Sequence, residues 1–253
     1  MHHALFRKLY YIFDRAFIFD SYSCRIKKGT HRAVHRLNNF FKKESQNNTK
    51  ICWVLKCDIR KFFGNIDQNI LMNLIGQRVK DKDVIWLIEV ILKSFKNGLP
   101  LGNITSQLFA NIYLNQLDQF IKHNLKVKYY IRYSDDFVIL NINRNYLNNL
   151  VPEIDKFLWD TLKLSLHPNK IIIKKYRQGI DFLGYVVFPN HILLRPKTKK
   201  RMMRKIKQKI QQFKNGLISE KSFYQTLNSY YGVLIHCNSH KIKEEIEILL
   251  NKR

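Results

Sequence analysis

The stretch Lys128–Asn141, KYYIRYSDDFVILN, constrains this chain more than any other. Tyr129-Tyr130-Ile131 and Phe137-Val138-Ile139-Leu140 flank the polar tetrad Tyr133-Ser134-Asp135-Asp136. Strand-forming residues on both sides of a short polar break predict a β-hairpin. The adjacent acids at its tip repel each other, by roughly 1 kcal/mol at about 4 Å in water and about 4 kcal/mol at an effective dielectric near 20. Protonation, solvation or a divalent cation relieves that repulsion, and Mg²⁺ is ordinarily held by one or two carboxylates together with substrate phosphates. Asp is also a common turn residue, so a catalytic meaning needs a further acid at the end of another apolar strand.

Asp58 is such an acid. Ile51–Ile59, ICWVLKCDI, reads as an apolar strand ending at Asp58, and Arg60–Asp67 turns at once into a helix. An acid on one strand facing a hairpin with two more is the arrangement two-metal nucleotidyl transfer needs, with cations about 3.5–4 Å apart clamping the attacking and leaving oxygens. Phe63, five residues past the acid, could press on the sugar of an incoming nucleotide. Taken alone, Asp58 is equally well a strand-end or helix-cap residue.

Charge narrows the partners. The chain has 45 Lys and Arg against 19 Asp and Glu, a net charge of +26, which points to nucleic acid or an anionic membrane surface. No apolar run of membrane-spanning length and no signal sequence is present. Cys24, Cys52, Cys57 and Cys237 show no CxxC spacing and read as reduced thiols, which implies the cytoplasm. A length of 253 residues allows one large or two small domains.

His2–Phe19 has helical apolar spacing (Leu5, Leu9, Ile12, Phe13, Ala16, Phe17). Arg25, Lys27, Lys28 and Arg32 surround Gly29 and could cradle a triphosphate, although a solvated basic loop explains them as simply. A second helix is predicted over Ala33–Phe41, a loop over Phe41–Lys50, and two helices within Ile70–Phe95. Gly98–Gln107 is a Gly- and Pro-containing turn in which Thr105 or Ser106 would cap a helix over Leu108–His123. Lys197–Phe213 is strongly basic, with Met202, Met203, Ile206, Ile210 and Phe213 at helical intervals, and Glu220–His236 and His240–Leu250 read as two more helices. Trp53, Trp86 and Trp159 sit in apolar patterns and are expected in the core.

The order of strand acid, Gly-rich turn into a helix, and Tyr-x-Asp-Asp hairpin resembles the palm of a reverse transcriptase. Leu101-Gly102-Asn103-Ile104-Thr105-Ser106-Gln107, continuing Leu108-Phe109-Ala110-Asn111-Ile112-Tyr113, resembles the subfamily of diversity-generating retroelements. Most reverse transcriptases begin this turn with Gln-Gly and end it with Ser-Pro. The resemblance implies an α+β right-hand polymerase fold, with an antiparallel sheet covered by helices and a helical thumb. It divides the chain into partial fingers (1–50), palm (51–190, with a fingers segment at 70–100) and a basic helical thumb (191–253).

The resemblance also implies roles. Asp58, Asp135 and Asp136 match the catalytic acids that bind two Mg²⁺ ions, with Mn²⁺ as a substitute and the main chain of Ile59 as a further ligand. Lys170 matches the lysine that protonates pyrophosphate. Arg25, Lys27, Lys28, Phe63, Leu101, Gly102 and Gln107 match the dNTP site, and Phe182, Leu183, Gly184 and Tyr185 the primer grip. Arg195, Lys197, Lys199, Lys200, Arg201 and Arg204 match the contacts to the template–primer duplex. The implied function is error-prone, adenine-mutagenised cDNA synthesis from a template-repeat RNA, with a pentameric basic accessory variability protein as partner. Leu101, in place of the usual Gln, accompanies low fidelity in that subfamily. A group II intron-like or defence-associated reverse transcriptase is the alternative, and a non-catalytic RNA-binding relic is the alternative from another class. Relative to the family the chain starts late, with the earliest fingers strands lacking a counterpart, which bears on the nucleotide and template grip but not on the acids.

Overall fold

The structure, a computed structural model, describes residues 1–100 and 102–251. It contains two compact units that divide between Lys175 and Tyr176.

The first unit is built on a four-stranded antiparallel sheet in the order β2-β3-β1-β4. Its strands are β1 (Trp53–Asp58), β2 (Tyr129–Tyr133), β3 (Asp136–Asn141) and β4 (Ile172–Lys175). Side chains alternate between faces along each strand, and the register decides which residues meet. Leu55, Cys57, Tyr130, Phe137 and Ile139 share one face and are buried in the main core. That core also takes residues from α1 (His2–Asp14), α6 (Ile104–Gln119) and α7 (Arg144–Leu162). On the other face, Tyr129, Ile131, Val138 and Leu140 are buried. There α2 (Thr30–Glu44) packs against β2 and β3, with the Phe40 and Tyr129 rings 5.2 Å apart. The same alternation puts Lys56, Asp58, Tyr133 and Asp136 on this second face, at the end of the strands.

Between β1 and α6 run α3 (Phe62–Asn65), α4 (Gln68–Gly76) and α5 (Lys82–Lys93). Asp67 and Asp81 cap α4 and α5 by accepting from two main-chain N–H groups each.

Several expectations are corrected. The first helix ends at Asp14 instead of Phe19, because the Asp14 carboxylate takes Arg25 at 2.6 Å and the chain folds back over it. The second helix runs on to Glu44 into the predicted loop. The helix expected from Leu108 starts at Ile104 behind Asn103, so Thr105 and Ser106 are buried inside its first turn and do not cap it. It closes with a π turn over Phe120–Asn124. Trp86 and Trp159 are not core residues, being 64% and 61% exposed. Trp53 is half-buried, with Arg144 and Lys175 cations over its ring.

The second unit carries a three-stranded antiparallel meander: β5 (Ile180–Phe182), β6 (Tyr185–Val187) and β7 (Ile192–Leu194). Helices α8 (Pro196–Lys214), α9 (Glu220–Leu234) and α10 (His240–Asn251) follow. Met202, Ile206, Phe223, Leu227, Leu234, Ile242 and Ile246 are the buried residues of these helices. The compact units divide at 175/176, and residues 180–194 form a sheet of their own within the second. No helix among the described residues is long and apolar enough to cross a membrane. Cys52 and Cys57 are buried free thiols, each pushed up to about 12 chiefly by burial.

Candidate active site

The hairpin turn is the pair Ser134–Asp135, since Tyr133 and Asp136 face each other across β2 and β3. Ser134 takes the left-handed φ of +55° that a two-residue turn requires. Asp136 is also directly opposite Asp58, so acids from two strands share one face, and Ile59 N donates to Asp135 O at 3.3 Å.

Each of two carboxylates meets a lysine. Lys170 Nζ lies 2.9 Å from Asp58 Oδ1, and Lys56 Nζ 3.1 Å from Asp136 Oδ2. Lys170 sits in the short turn Pro168–Lys170, which is anchored where His167 N donates to Asp58 O at 2.8 Å and Leu166 N to Asp155 Oδ1 at 2.8 Å. Its bond to Asp58 raises its pKa. Burial pushes Asp136 up to about 6, with Asp58 and Asp135 adding to the rise and Lys56 opposing it. Asp135 is raised too, first by burial. Lys56 has no place among the predicted site residues, yet its position was readable: two residues before Asp58 in an alternating strand, it must share that face.

The site suits a divalent cation. Asp136 Oδ1 is buried without a hydrogen-bond partner among the described residues, the condition a bound cation relieves. No three His, Cys, Asp or Glu side chains among the described residues form an all-protein cage. A cation held by one or two carboxylates plus phosphate oxygens needs none. Ile59 buries its side chain, so it would contribute only its main-chain carbonyl.

The predicted nucleotide residues separate. Phe63 is half-buried on α3, its ring 5.2 Å from that of Phe62. Leu99 N donates to Phe63 O at 2.7 Å, and a Cβ on Gly98 (φ +63°) would lie 2.2 Å from that oxygen. Gln68 Nε2 donates to the carbonyls of Leu92, Phe95 and Gly98, fixing the loop against α3. Gly102 is exposed with φ +99°; Leu101 lies outside the described residues. Lys27 is exposed.

Arg25 is engaged within the chain. Its side chain is 7% exposed and bonds Asp14, Ile18 O and Ser21 O, so the guanidinium staples its own loop. Lys28 likewise donates to Phe19 O at 2.7 Å and sits 3.3 Å from the centroid of the Phe19 ring, where burial lowers its pKa. Gln107 accepts from the Cys24 thiol and so ties α6 to that loop.

In the second unit, of the residues expected to form the primer grip, Phe182 and Tyr185 are buried, while the turn Leu183–Gly184 reaches the surface. This turn, at φ +52° and +88°, joins Arg195, Lys197, Thr198, Lys200, Arg201, Arg204 and Lys207 around a groove of about 950 Å³. Arg195 is ion-paired to Asp181 at 2.8 Å. Lys199 lies outside the groove lining, paired to Glu245 at 2.6 Å.

Comparison with known proteins agrees with this geometry. The family model for reverse transcriptase (RNA-dependent DNA polymerase) matches residues 3–187. The putative COX1/OXI3 intron 2 protein of Saccharomyces cerevisiae is 23% identical over 243 residues, covering 70% of this chain and 28% of that protein. Protein YkfC of Escherichia coli is 24% identical, covering 65% and 54%. The group II intron-encoded protein LtrA of Lactococcus lactis is 26% identical, covering 53% and 34%. The chain thus matches between about a quarter and a half of the length of these relatives. The solved apo telomerase of Candida tropicalis superposes with a TM-score of 0.62 at 13% identity, over 90% of this chain and 43% of that one, which speaks for the fold alone. With intron-encoded proteins among its relatives and a right-hand polymerase fold, the chain belongs to the reverse transcriptase family.

Proposed function

We propose that this protein copies RNA into DNA, extending a DNA or RNA 3′ end on an RNA template with dNTPs and Mg²⁺. The observation that carries the proposal is Asp58 opposite Asp136, with Asp135 in the adjoining turn and Lys170 bonded to Asp58. Asp58, Asp135, Asp136 and the Ile59 carbonyl would hold the cations. When bound, these activate the 3′ oxygen and neutralise charge on the leaving pyrophosphate. Lys56 holds the Asp136 carboxylate on the site face and offsets part of the repulsion among the acids. Lys170, half-exposed and kept protonated by Asp58, is the proton donor to the departing pyrophosphate. Phe63, locked through its carbonyl to Leu99, packs on the sugar of the incoming nucleotide. The cations of the Leu183–Lys207 groove take phosphates of the template–primer duplex.

The intron-encoded relatives support an intron-type enzyme. The turn Leu101-Gly102 through Ser106-Gln107 supports the finer role of adenine-directed mutagenic copying, with the pentameric accessory protein as partner. Leu101→Gln separates the two: in the diversification role it lowers misincorporation opposite template adenine, and in an intron-type enzyme it leaves the error spectrum unchanged.

Primer extension on an RNA template tests the activity, comparing the native chain with Asp135→Ala/Asp136→Ala. Extension by the native chain and none by the variant is the expected result. Salt-sensitive RNA binding with no extension under any condition would instead make the chain a binding module.

A further inference from the structure

Arg132 lies on β2 two residues before the acid turn, on the sheet face opposite the carboxylates. It is wholly buried, and all five of its N–H donors have acceptors. Nε and Nη2 grip both oxygens of Asp118 on α6, at 2.7 and 2.6 Å. Nη2 also donates to Ser21 Oγ at 3.2 Å, and Nη1 to Asn111 Oδ1 at 3.3 Å and to Ser134 O at 3.0 Å. Tyr130 Oη donates to Asp118 Oδ1 at 2.7 Å, completing a buried network.

The main chain of Arg132 makes the same connection. Arg132 N donates to Asp20 O, and Tyr22 N to Arg132 O, both at 2.9 Å, so residues 20–22 lie along the outer edge of β2. Asn111, already on the guanidinium, gives its own amide to Ser23 O at 2.8 Å. One planar group therefore touches α6, the start of the loop over residues 20–29, and the carbonyl of the left-handed residue directly before Asp135.

A buried ion pair is poor evidence of stabilisation, because apolar residues of the same volume often serve as well. What an apolar pair cannot do is hold three segments at fixed angles, and neither can lysine, whose ammonium is a point charge without a fork. We propose that Arg132 is the positioning residue of the acid turn, fixing Ser134 and hence Asp135 in register with α6 and with the 20–29 loop. This rests on Asp135 and Asp136 being the cation-holding acids.

Arg132→Lys tests it, since it keeps a charge opposite Asp118 and removes the fork. Arg132→Met/Asp118→Leu/Tyr130→Phe is the second variant, an all-apolar replacement that settles the question if the lysine variant does not fold. Hydrogen exchange followed by mass spectrometry, without metal or nucleic acid, is the first readout. Amides of residues 20–23 and 130–136 are expected to exchange at least about tenfold faster, with the rest of the sheet unchanged. In primer extension, the half-saturating Mg²⁺ concentration is expected to rise about tenfold, the usual cost of losing a residue that orients a metal ligand.

Native exchange in these two segments together with native Mg²⁺ dependence overturns the proposal. So does faster exchange spread over the whole chain with an unshifted Mg²⁺ dependence, the signature of a merely structural residue. Normal extension by Asp135→Ala/Asp136→Ala would overturn the site assignment itself. An inactive Asp135→Ala/Asp136→Ala beside a fully native Arg132→Lys overturns only the role of Arg132.

Discussion

The acid end of the central sheet and the basic face of α8 carry opposite charges and treat them in opposite ways. At the sheet end, charge is answered inside the fold: Asp136 has Lys56, Asp58 has Lys170, and nearby Arg25 is spent on Asp14. On α8, Lys197, Lys200, Arg201, Arg204 and Lys207 line an open groove and make no ion pair among the described residues. Burial explains the difference. A desolvated carboxylate is costly unless a counter-charge or hydrogen bond meets it, so two of the three site acids, Asp58 and Asp136, have lysine partners within the chain. A hydrated lysine costs little to leave unpaired, and it contributes when a phosphate backbone arrives and counterions are released. On the proposed function, the first region presets geometry for chemistry, and the second keeps its charge for a phosphate backbone.

Removing an acid is the most direct way to break this comparison, with the largest expected effect. Asp136→Ala is expected to lower extension by about a hundredfold to a thousandfold, the scale of losing a preorganised electrostatic group. Because the acid is costly to bury, the chain should remain folded. Unaltered single-turnover extension by a folded Asp136→Ala protein would mean that the sheet end is not the reacting centre.

The groove should behave differently. Lys200→Ala/Arg201→Ala/Arg204→Ala is expected to weaken duplex binding about a hundredfold at low salt and to flatten the salt slope by about three, near 0.9 per phosphate contact. Arg195→Ala/Lys199→Ala should do less, because both cations already have carboxylate partners at 2.8 and 2.6 Å. Equal losses from the two variants, read from binding isotherms over a salt series, would erase the distinction between committed and uncommitted cations.

What was legible in the sequence follows the same line. Alternating apolar residues made the hairpin and β1 readable, and with them the meeting of Asp58 with Asp135 and Asp136, because strand periodicity is local. The partners of long polar side chains were not readable. Nothing local in the sequence brings Asp14 to 2.6 Å from Arg25 or the Cys24 thiol onto Gln107. Phe182 and Tyr185 were singled out by motif, yet only the turn between them reaches the groove. Arg132 resisted most, since five acceptors from three segments exist only in the folded chain.

The smallest predicted effect sharpens the comparison through pH. Asp136 has a folded pKa of about 6 against an ordinary value of 3.8. Between those values the folded chain keeps a proton that the unfolded chain has lost. Stability should therefore be highest below about pH 4, fall as pH rises through about 6, and level off above it. The cost at neutral pH is on the order of 2 kcal/mol, at about 1.4 kcal/mol per unit with some discount for partial solvent access. Asp135, also raised by burial, adds to the same trend, whereas the raised pKa of Lys170 acts only at alkaline pH. Thermal unfolding from pH 4.5 to 7.5, without divalent cations, should show this slope, and Asp136→Asn should flatten it. Identical slopes in the two proteins would show that Asp136 is not held uncompensated. Adding Mg²⁺ at pH 7 should raise the melting temperature of the native chain more than that of Asp136→Asn, because the cation then does at neutral pH what the proton does in acid. Lys56→Met should extend the falling limb above pH 6, since it removes the ammonium bonded to Asp136 that holds its pKa down.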